Sequence, residues 1–167
     1  TIHNFAIVEH LDLDLKPGMS VITGETGAGK SIMLDALSLT LGARADSGVI
    51  RPGADKADIL ASFDIGSIPE ASAWLAERDL DNESQCLLRR VITAEGRSRG
   101  YINGTPCTQA DLKELGALLI DIHSQHEHQS LLKTDTHRRL LDEYAGCVPL
   151  ASEVAQLARQ WQQKNNL

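Results

Sequence analysis

A glycine-rich run that ends in lysine and serine carries the clearest chemical signal in the sequence. The run has the spacing GxxxxGKS and comprises Gly24, Glu25, Thr26, Gly27, Ala28, Gly29, Lys30 and Ser31. Glycines allow several backbone N–H groups to converge on one phosphate, and a following helix adds the positive end of its dipole. At these positions Lys30 is predicted to reach the β- and γ-phosphates and the Ser31 hydroxyl to bind Mg²⁺. The run therefore predicts a site for the phosphates of a Mg-nucleotide.

The residues on either side of the run have the pattern that such a loop needs. Residues 19–23 are predicted to form a short buried strand. From Lys30 to Leu41 the spacing of apolar residues predicts a mostly buried helix, which Gly42 ends. A chance glycine-rich turn is the alternative interpretation, and the strand before and helix after the run argue against it.

The motif predicts phosphate binding but not a reaction, because kinases, GTPases and mechanical ATPases share it. The sequence has no NKxD-type segment for guanine, which argues against a GTPase. It also has no strand ending in an acidic residue suited to Walker B. The nearest candidate, residues 118–121, continues into Ile122 and His123 and is interpreted as part of a buried strand, 118–122, leading to a polar loop. We therefore expect an incomplete catalytic site; a self-contained small-molecule kinase or a non-catalytic module that keeps the motif are the alternatives.

The remaining pattern predicts an α/β domain. An apolar run over residues 2–8 and alternation over 11–15 predict a hairpin, and Asn103-Gly104 predicts a tight turn. Further strands are predicted over 57–65, 86–93 and 99–102, and helices over 68–77, 108–115 and 134–144. Apolar residues recur at heptad-like spacing at Leu150, Val154, Leu157 and Trp161. Two heptads fit either the start of a coiled coil or an ordinary amphipathic helix.

Composition limits the class of protein. Of the 167 residues, 42% are hydrophobic and 23% charged, as in an ordinary globular protein. No apolar run approaches the ~20 residues of a membrane span, and the net charge of −7 argues against a surface that binds nucleic acid throughout. The three cysteines form no CxxC pair, which fits a reducing cytosol. The sequence starts without methionine and stops within a helical pattern, so we expect it to be part of a longer chain.

Several segments resemble the amino-terminal head segment of the RecN family of bacterial DNA repair proteins, in the SMC-like branch of ABC ATPases. The Walker A run is generic, whereas the Arg-Ser-Arg-Gly-Tyr-Ile-Asn-Gly hairpin and the stretch 125–129 are much more specific. The similar segments cover essentially the whole chain and are residues 4–8, 24–37, 41–46, 87–92, 96–104 and 122–129.

The resemblance implies a fold and a function. It implies a P-loop NTPase head of the ABC/SMC-like type, with a mixed sheet around the Walker A helix in residues 1–148 and the start of a coiled-coil arm in 149–167. It implies that ATP and Mg²⁺ bind here and drive engagement with a second head in a homodimer. Hydrolysis would need the carboxy-terminal half, which brings the signature motif and Walker B. The implied role is DNA double-strand break repair and recombination on double-stranded DNA, in the bacterial cytoplasm at the nucleoid and away from membranes. Another SMC-like or ABC head is the alternative.

The resemblance also assigns residues. Gln125, with Gln129 as the fallback, matches the Q-loop glutamine that would complete the Mg²⁺ shell. Asn4, together with His3, corresponds to positions near the base or ribose. Arg51, and less directly Arg44, lies where such heads place basic residues near the nucleotide and the head–head interface. No catalytic residue is assigned in this segment, because the family supplies the general base from the missing half.

Two groups of residues are left without an assigned role. His123, His126 and His128 with Glu127 suggest a metal site, but no fourth ligand has a convincing spacing, and a polar loop beside the nucleotide is the favoured interpretation. Arg97 and Arg99 flank a predicted turn, where they can contact nucleotide or DNA, or can be solvated charges of an edge strand.

Overall fold

The computed structural model describes residues 1–23, 29–120, 122 and 134–165. It divides into two compact units, Thr1–Asp121 and Ile122–Leu167. The predicted division between residues 148 and 149 stays a prediction. The two units are considered separately below.

A six-stranded sheet forms the framework of the first unit. Its strands are β1 (Ile2–Phe5), β2 (Val8–Leu11), β3 (Lys56–Asp64), β4 (Gln85–Thr93), β5 (Ser98–Ile102) and β6 (Thr105–Cys107). The spatial order is β2-β1-β3-β4-β5-β6, and every described pairing is antiparallel. Only β1 and β3 pair across a long stretch of sequence; the other neighbours are consecutive strands.

The two long central strands show why the sheet has one buried face. β3 and β4 pair over their full nine residues, from Lys56 opposite Thr93 to Asp64 opposite Gln85. Successive side chains of a strand point to opposite faces. In β4 the residues with even numbers, from Cys86 to Ile92, are buried, and Arg89 between them is exposed. The apolar half of each strand therefore faces the helices.

Three helices cover the inner face in two clusters. Helix α1 (Lys30–Thr40) packs Ala36 and Leu39 against Phe5, Ile59 and other apolar residues of β1, β3 and β4. Helices α2 (Pro69–Ala76) and α3 (Gln109–Leu119) form the second cluster over β4 and β5. A short 3₁₀ turn, Ser47–Val49, follows α1. The second unit contains α4 (Thr134–Tyr144) and α5 (Val148–Asn165).

Several local predictions are confirmed. Asn103 and Gly104 have φ angles of 48° and 84° and join β5 to β6, as expected for a turn that needs two positive φ values. Thr108 caps α3 in a capping box with Asp111. The predicted strands 57–65, 86–93 and 99–102 and the helices over 68–77 and 134–144 agree with the structure to within one or two residues.

The predicted buried strand at 19–23 is wrong, as is the strand at 11–15. The second strand of the hairpin ends at Leu11, and residues 12–23 form no regular element. Met19 and Val21 are 95% and 79% exposed. An apolar strand is buried only when neighbouring strands and helices cover it, and the described residues supply no such neighbours on this side of β2.

Two predictions about helices also need correction. The strand predicted at 118–122 is wrong over Leu118 and Leu119, because α3 continues to Leu119 with both residues packed on the second cluster. The Walker helix is not mostly buried: only Ala36, Leu39 and Thr40 are buried, and Leu34 is 46% exposed. One side of α1 meets the sheet, and nothing in the described part of the chain covers the other.

Candidate nucleotide-binding site

The amino end of α1 is the best-defined part of the candidate site. Gly29 precedes the helix with φ 94° and ψ −6°, a left-handed conformation that glycine adopts without steric cost. The first intrahelical bond runs from Met33 N–H to the Gly29 carbonyl at 3.1 Å. The N–H groups of Lys30, Ser31 and Ile32 therefore have no acceptor within the helix.

This helix end fits an anion. No described side chain caps it, and the first turn of α1 holds no acidic residue. Uncapped N–H groups and the positive end of the helix dipole together favour a bound negative charge. Lys30, at the first helical position, is half-buried, and Ser31 beside it is exposed. The arrangement has the donors that a phosphate group requires.

Much of the predicted loop lies outside the described residues. These positions are Gly24, Glu25, Thr26, Gly27, Ala28, Gln125 and Gln129, together with His123, His126, Glu127 and His128. Their predicted roles stay predictions. Among the residues described, no group of three or more His, Cys, Asp or Glu side chains is placed to hold a metal ion.

Asn4 and Arg51 are brought together by the structure. Arg51 N–H donates to the Asn4 carbonyl at 2.9 Å. Both residues line an open depression of about 580 Å³ whose other lining residues are 52–56. Asn4 has φ 51°, a value that only a few per cent of non-glycine residues adopt and that asparagine tolerates best.

Glu9 is a member of this group that sequence reasoning missed. Its carboxylate oxygen Oε2 forms an ion pair with Arg51 Nη1, and the two atoms are 3.1 Å apart. The side chains of Glu9 and Arg51 are 72% and 39% exposed, respectively, so the pair contributes little to stability. The ion pair instead orients Arg51, because it holds the guanidinium beside the depression. Glu9 and Arg51 come close because β1 pairs with β2 on one side and bonds to residues 50 and 51 on the other. A sequence pattern carries no signal for that.

The other predicted cations and His3 lie elsewhere. His3 pairs with His10 across the β1–β2 hairpin, with their Nδ1 atoms 3.1 Å apart. Arg44 is exposed beyond α1. Arg97 and Arg99 are exposed where β4 turns into β5. The structure therefore groups Asn4 with Arg51 in the depression, which Arg97 and Arg99 do not line. Lys56, which does line it, lies opposite Thr93, and Thr93 N–H donates to the Arg97 carbonyl.

Two of the three cysteines, Cys86 and Cys107, are unsuited to nucleophilic chemistry. Burial raises the pKa of the Cys86 thiol to about 11, and burial with the nearby Asp111 carboxylate raises the pKa of Cys107 to about 11 despite Arg90. Both thiols therefore stay protonated at neutral pH, whereas the thiolate is the reactive form. This leaves phosphate binding at α1 as the best-supported chemistry.

An antiparallel sheet packed on a helix that follows a glycine-lysine-serine run is the arrangement of a P-loop nucleotide-binding domain. The chain belongs to the AAA domain family, whose sequence profile matches residues 1–139. The relatives are more specific. The chain is 46% identical over 166 residues to the DNA repair protein RecN of Vibrio cholerae, covering 99% of this chain and 30% of that protein. It is 42% identical over 147 residues to RecN of Bacillus subtilis, covering 87% of this chain and 26% of that protein. The resemblance to the RecN family is therefore confirmed.

Solved structures confirm the fold. A Smc head domain with a coiled coil and joint from Pyrococcus yayanosii matches with a TM-score of 0.66 at 19% identity, over 99% of this chain and 35% of that one. A chain from a study of ATP-driven dimerization and DNA-stimulated activation of SMC ATPases matches with a TM-score of 0.62 at 22% identity, over 85% and 94%. The chain spans about 30% of the length of the V. cholerae relative. No helix in the described ranges is long and apolar enough to cross a membrane.

Proposed function

We propose that this chain is the ATP-binding head segment of a RecN-like protein that acts in bacterial DNA double-strand break repair and recombination. The observation that carries the proposal is the uncapped amino end of α1, where Gly29, Lys30 and Ser31 complete a GxxxxGKS run. The similarity to proteins described as DNA repair protein RecN supports the biological role.

The residues of this chain bind and orient the nucleotide. Backbone N–H groups of the loop and of the first turn of α1 hold phosphate oxygens, and Lys30 neutralises charge on the β- and γ-phosphates. Ser31, with Gln125, would hold Mg²⁺, which screens phosphate charge when bound. Asn4 and Arg51, which line the depression with residues 52–56, contact the nucleotide as well. Together these groups fix the triphosphate for in-line attack but supply no general base.

Hydrolysis requires a further part of the protein. Leu15, Met19 and Val21 are 65%, 95% and 79% exposed, and Leu34 on the outer side of α1 is exposed as well. Burial of such side chains contributes about 1.5–3 kcal/mol each, so each of them favours a covering partner. We assign that role to the carboxy-terminal half of the same protein. A second head then engages across the bound ATP in a homodimer, and the assembly acts on double-stranded DNA in the cytoplasm, at the nucleoid.

The test is ATP hydrolysis by the full-length protein, with and without linear duplex DNA. Wild type is expected to hydrolyse ATP and to be stimulated by DNA. Lys30→Ala is expected to lose nucleotide binding and turnover, whereas Lys113→Ala, which removes an exposed lysine on α3, keeps both. The present chain alone is expected to bind ATP and to hydrolyse it poorly.

Two results would redirect the assignment. Turnover by this chain alone at the rate of the full-length protein would establish a self-contained P-loop enzyme, such as a small-molecule kinase. ATP turnover by the full-length protein with no response to DNA and no repair defect on deletion would favour another SMC-like or ABC head.

A further inference from the structure

Charge is unevenly distributed along the long β3–β4 pair. At the end where Asp64 pairs with Gln85, four acids are exposed on or next to the strands: Asp64, Asp79, Asp81 and Glu83. At the other end Lys56 pairs with Thr93, the β4–β5 turn adds Arg97, and β5 adds Arg99. Each strand is roughly 27–30 Å long at 3.2–3.4 Å per residue. The sheet therefore has an acidic end and a basic end, although the whole chain has a net charge of −7.

The cations at the basic end are close together. Lys56 lies opposite Thr93, and Thr93 N–H donates to the Arg97 carbonyl at 2.9 Å. Arg99 lies opposite Val91, two residues before Thr93. Neighbouring strands are about 4.8 Å apart, so the three cations spread over roughly 10 Å. We call Lys56, Arg97 and Arg99 the basic rim.

The side chains of the rim are available to a ligand. All three are exposed, and within the described part of the chain neither Arg97 nor Arg99 forms an ion pair. Arg89, one position inward on β4, is by contrast bound to Asp58. Two acids, Asp55 and Glu95, lie near the rim, so its net charge is modest. Arg89 is bound to Asp58 and Arg90 is 4% exposed, so neither adds to the charge of the rim.

We infer that the basic rim is a contact site for the phosphates of duplex DNA. The inference rests on the proposed function, which requires DNA to meet the head but does not locate the surface. Duplex DNA has one phosphate per 3.4 Å of helix axis on each strand, so the cations of the rim can contact neighbouring phosphates of one backbone segment. The acidic end repels the same polyanion, which orients the sheet with its Lys56–Thr93 end towards the duplex. Such contacts position DNA without reading its sequence.

The salt dependence of DNA binding by the full-length protein tests this site. Fluorescence anisotropy with a labelled linear duplex is measured over a range of salt concentrations, with ATP and without. The slope of log K against log salt is negative, and each lost phosphate contact makes it less steep by about 0.9. The double variant Arg97→Gln/Arg99→Gln is expected to make the slope less steep by about 2. It is expected to weaken binding to duplexes of unrelated sequence to the same extent.

Two matched variants make the outcome specific. Lys16→Gln/Lys113→Gln removes the same two charges from exposed positions away from the rim and is expected to keep the wild-type slope. Arg97→Lys/Arg99→Lys keeps the charge and is expected to keep the slope as well. Circular dichroism verifies that each variant folds.

The remaining outcomes contradict either the rim assignment alone or the DNA role as well. A wild-type slope in Arg97→Gln/Arg99→Gln, or an equal fall in both glutamine variants, would place the DNA contacts elsewhere and leave the proposed function intact. No DNA binding by the wild-type protein in either nucleotide state would remove the DNA role itself, and the rim assignment with it.

Discussion

Arg89 binds Asp58 through two guanidinium nitrogens, Nε to Oδ1 at 2.8 Å and Nη2 to Oδ2 at 2.5 Å. The pair joins β4 to β3 on the outer face of the sheet, and the Arg89 guanidinium also lies 5.7 Å from the ring centroid of Tyr101 on β5. One side chain therefore contacts three consecutive strands on the face of the sheet opposite to α1, α2 and α3. Two-point contacts of this kind fix geometry as well as charge.

Asp58→Asn is expected to lower the free energy of unfolding at pH 7 by about 1 kcal/mol, the upper part of the range for partly exposed pairs. Hydrogen bonding to Arg89 lowers the pKa of Asp58 below its ordinary 3.8. The carboxylate therefore contributes fully above pH 3.8, and its contribution is lost as the pH falls through the lower folded-state pKa. Urea denaturation of both proteins across this range measures the difference. Asp14→Asn is the control. Asp14 and its partner Lys16 are both largely exposed, so this substitution should leave the free energy of unfolding almost unchanged.

Gly100→Ala tests the packing between β5 and α3. A Cβ at Gly100 would lie 2.6 Å from Leu112 Cδ1 and 3.3 Å from Cys107 Sγ. Leu112 is fully buried, so it has no room to move aside. Overpacking of this kind costs about 1–3 kcal/mol, and the melting temperature should fall accordingly. Gly66→Ala, where the nearest atom is 3.3 Å away on an exposed aspartate, serves as the control. Equal melting temperatures for the two variants would contradict the packing described here.

Thr108→Ala tests the start of α3. The Thr108 hydroxyl accepts a hydrogen bond from Asp111 N–H at 3.1 Å, and the Asp111 carboxylate accepts one from Thr108 N–H at 2.8 Å. Loss of an N-cap side chain costs about 1 kcal/mol. Thr108→Ser keeps the hydroxyl and should retain most of the stability in thermal unfolding. If serine proved as damaging as alanine, the effect would arise from the lost methyl group and not from the cap.

Sequence reasoning succeeded where structure is locally determined. Strands β4 and β5, the turn after β5, α2 and the capped start of α3 follow from alternation, an Asn-Gly turn, a Pro at the first helical turn and a Thr cap, each of which acts within a few residues. The start of α1 after the Gly-Lys-Ser run follows in the same way.

Sequence reasoning failed where an element depends on distant neighbours. The apolar residues 19–23 indicate a buried strand, but burial needs covering elements that no local pattern reports. Leu118 and Leu119 fit a strand or a helix end equally well, and packing against the second cluster decided for the helix. The pairs Arg51–Glu9 and Asp58–Arg89 depend on which strands become neighbours, so the sequence could indicate Arg51 but not its partner.

The apolar stripe of α5 supports a last prediction. Leu150, Val154, Leu157 and Trp161 are each 56–65% exposed, so within the described second unit they bury little surface. If 149–167 begins a coiled-coil arm, the stripe is covered only when the returning helix of the full-length protein is present. Leu157→Gln/Trp161→Gln should then leave the melting temperature of this chain almost unchanged and lower that of the full-length protein by several degrees. Ser152→Gln/Arg159→Gln, on the opposite side of the helix, should change neither. If the stripe variant destabilised this chain as much as the full-length protein, α5 would be an ordinary amphipathic helix packed within the domain, and the arm would have to begin elsewhere.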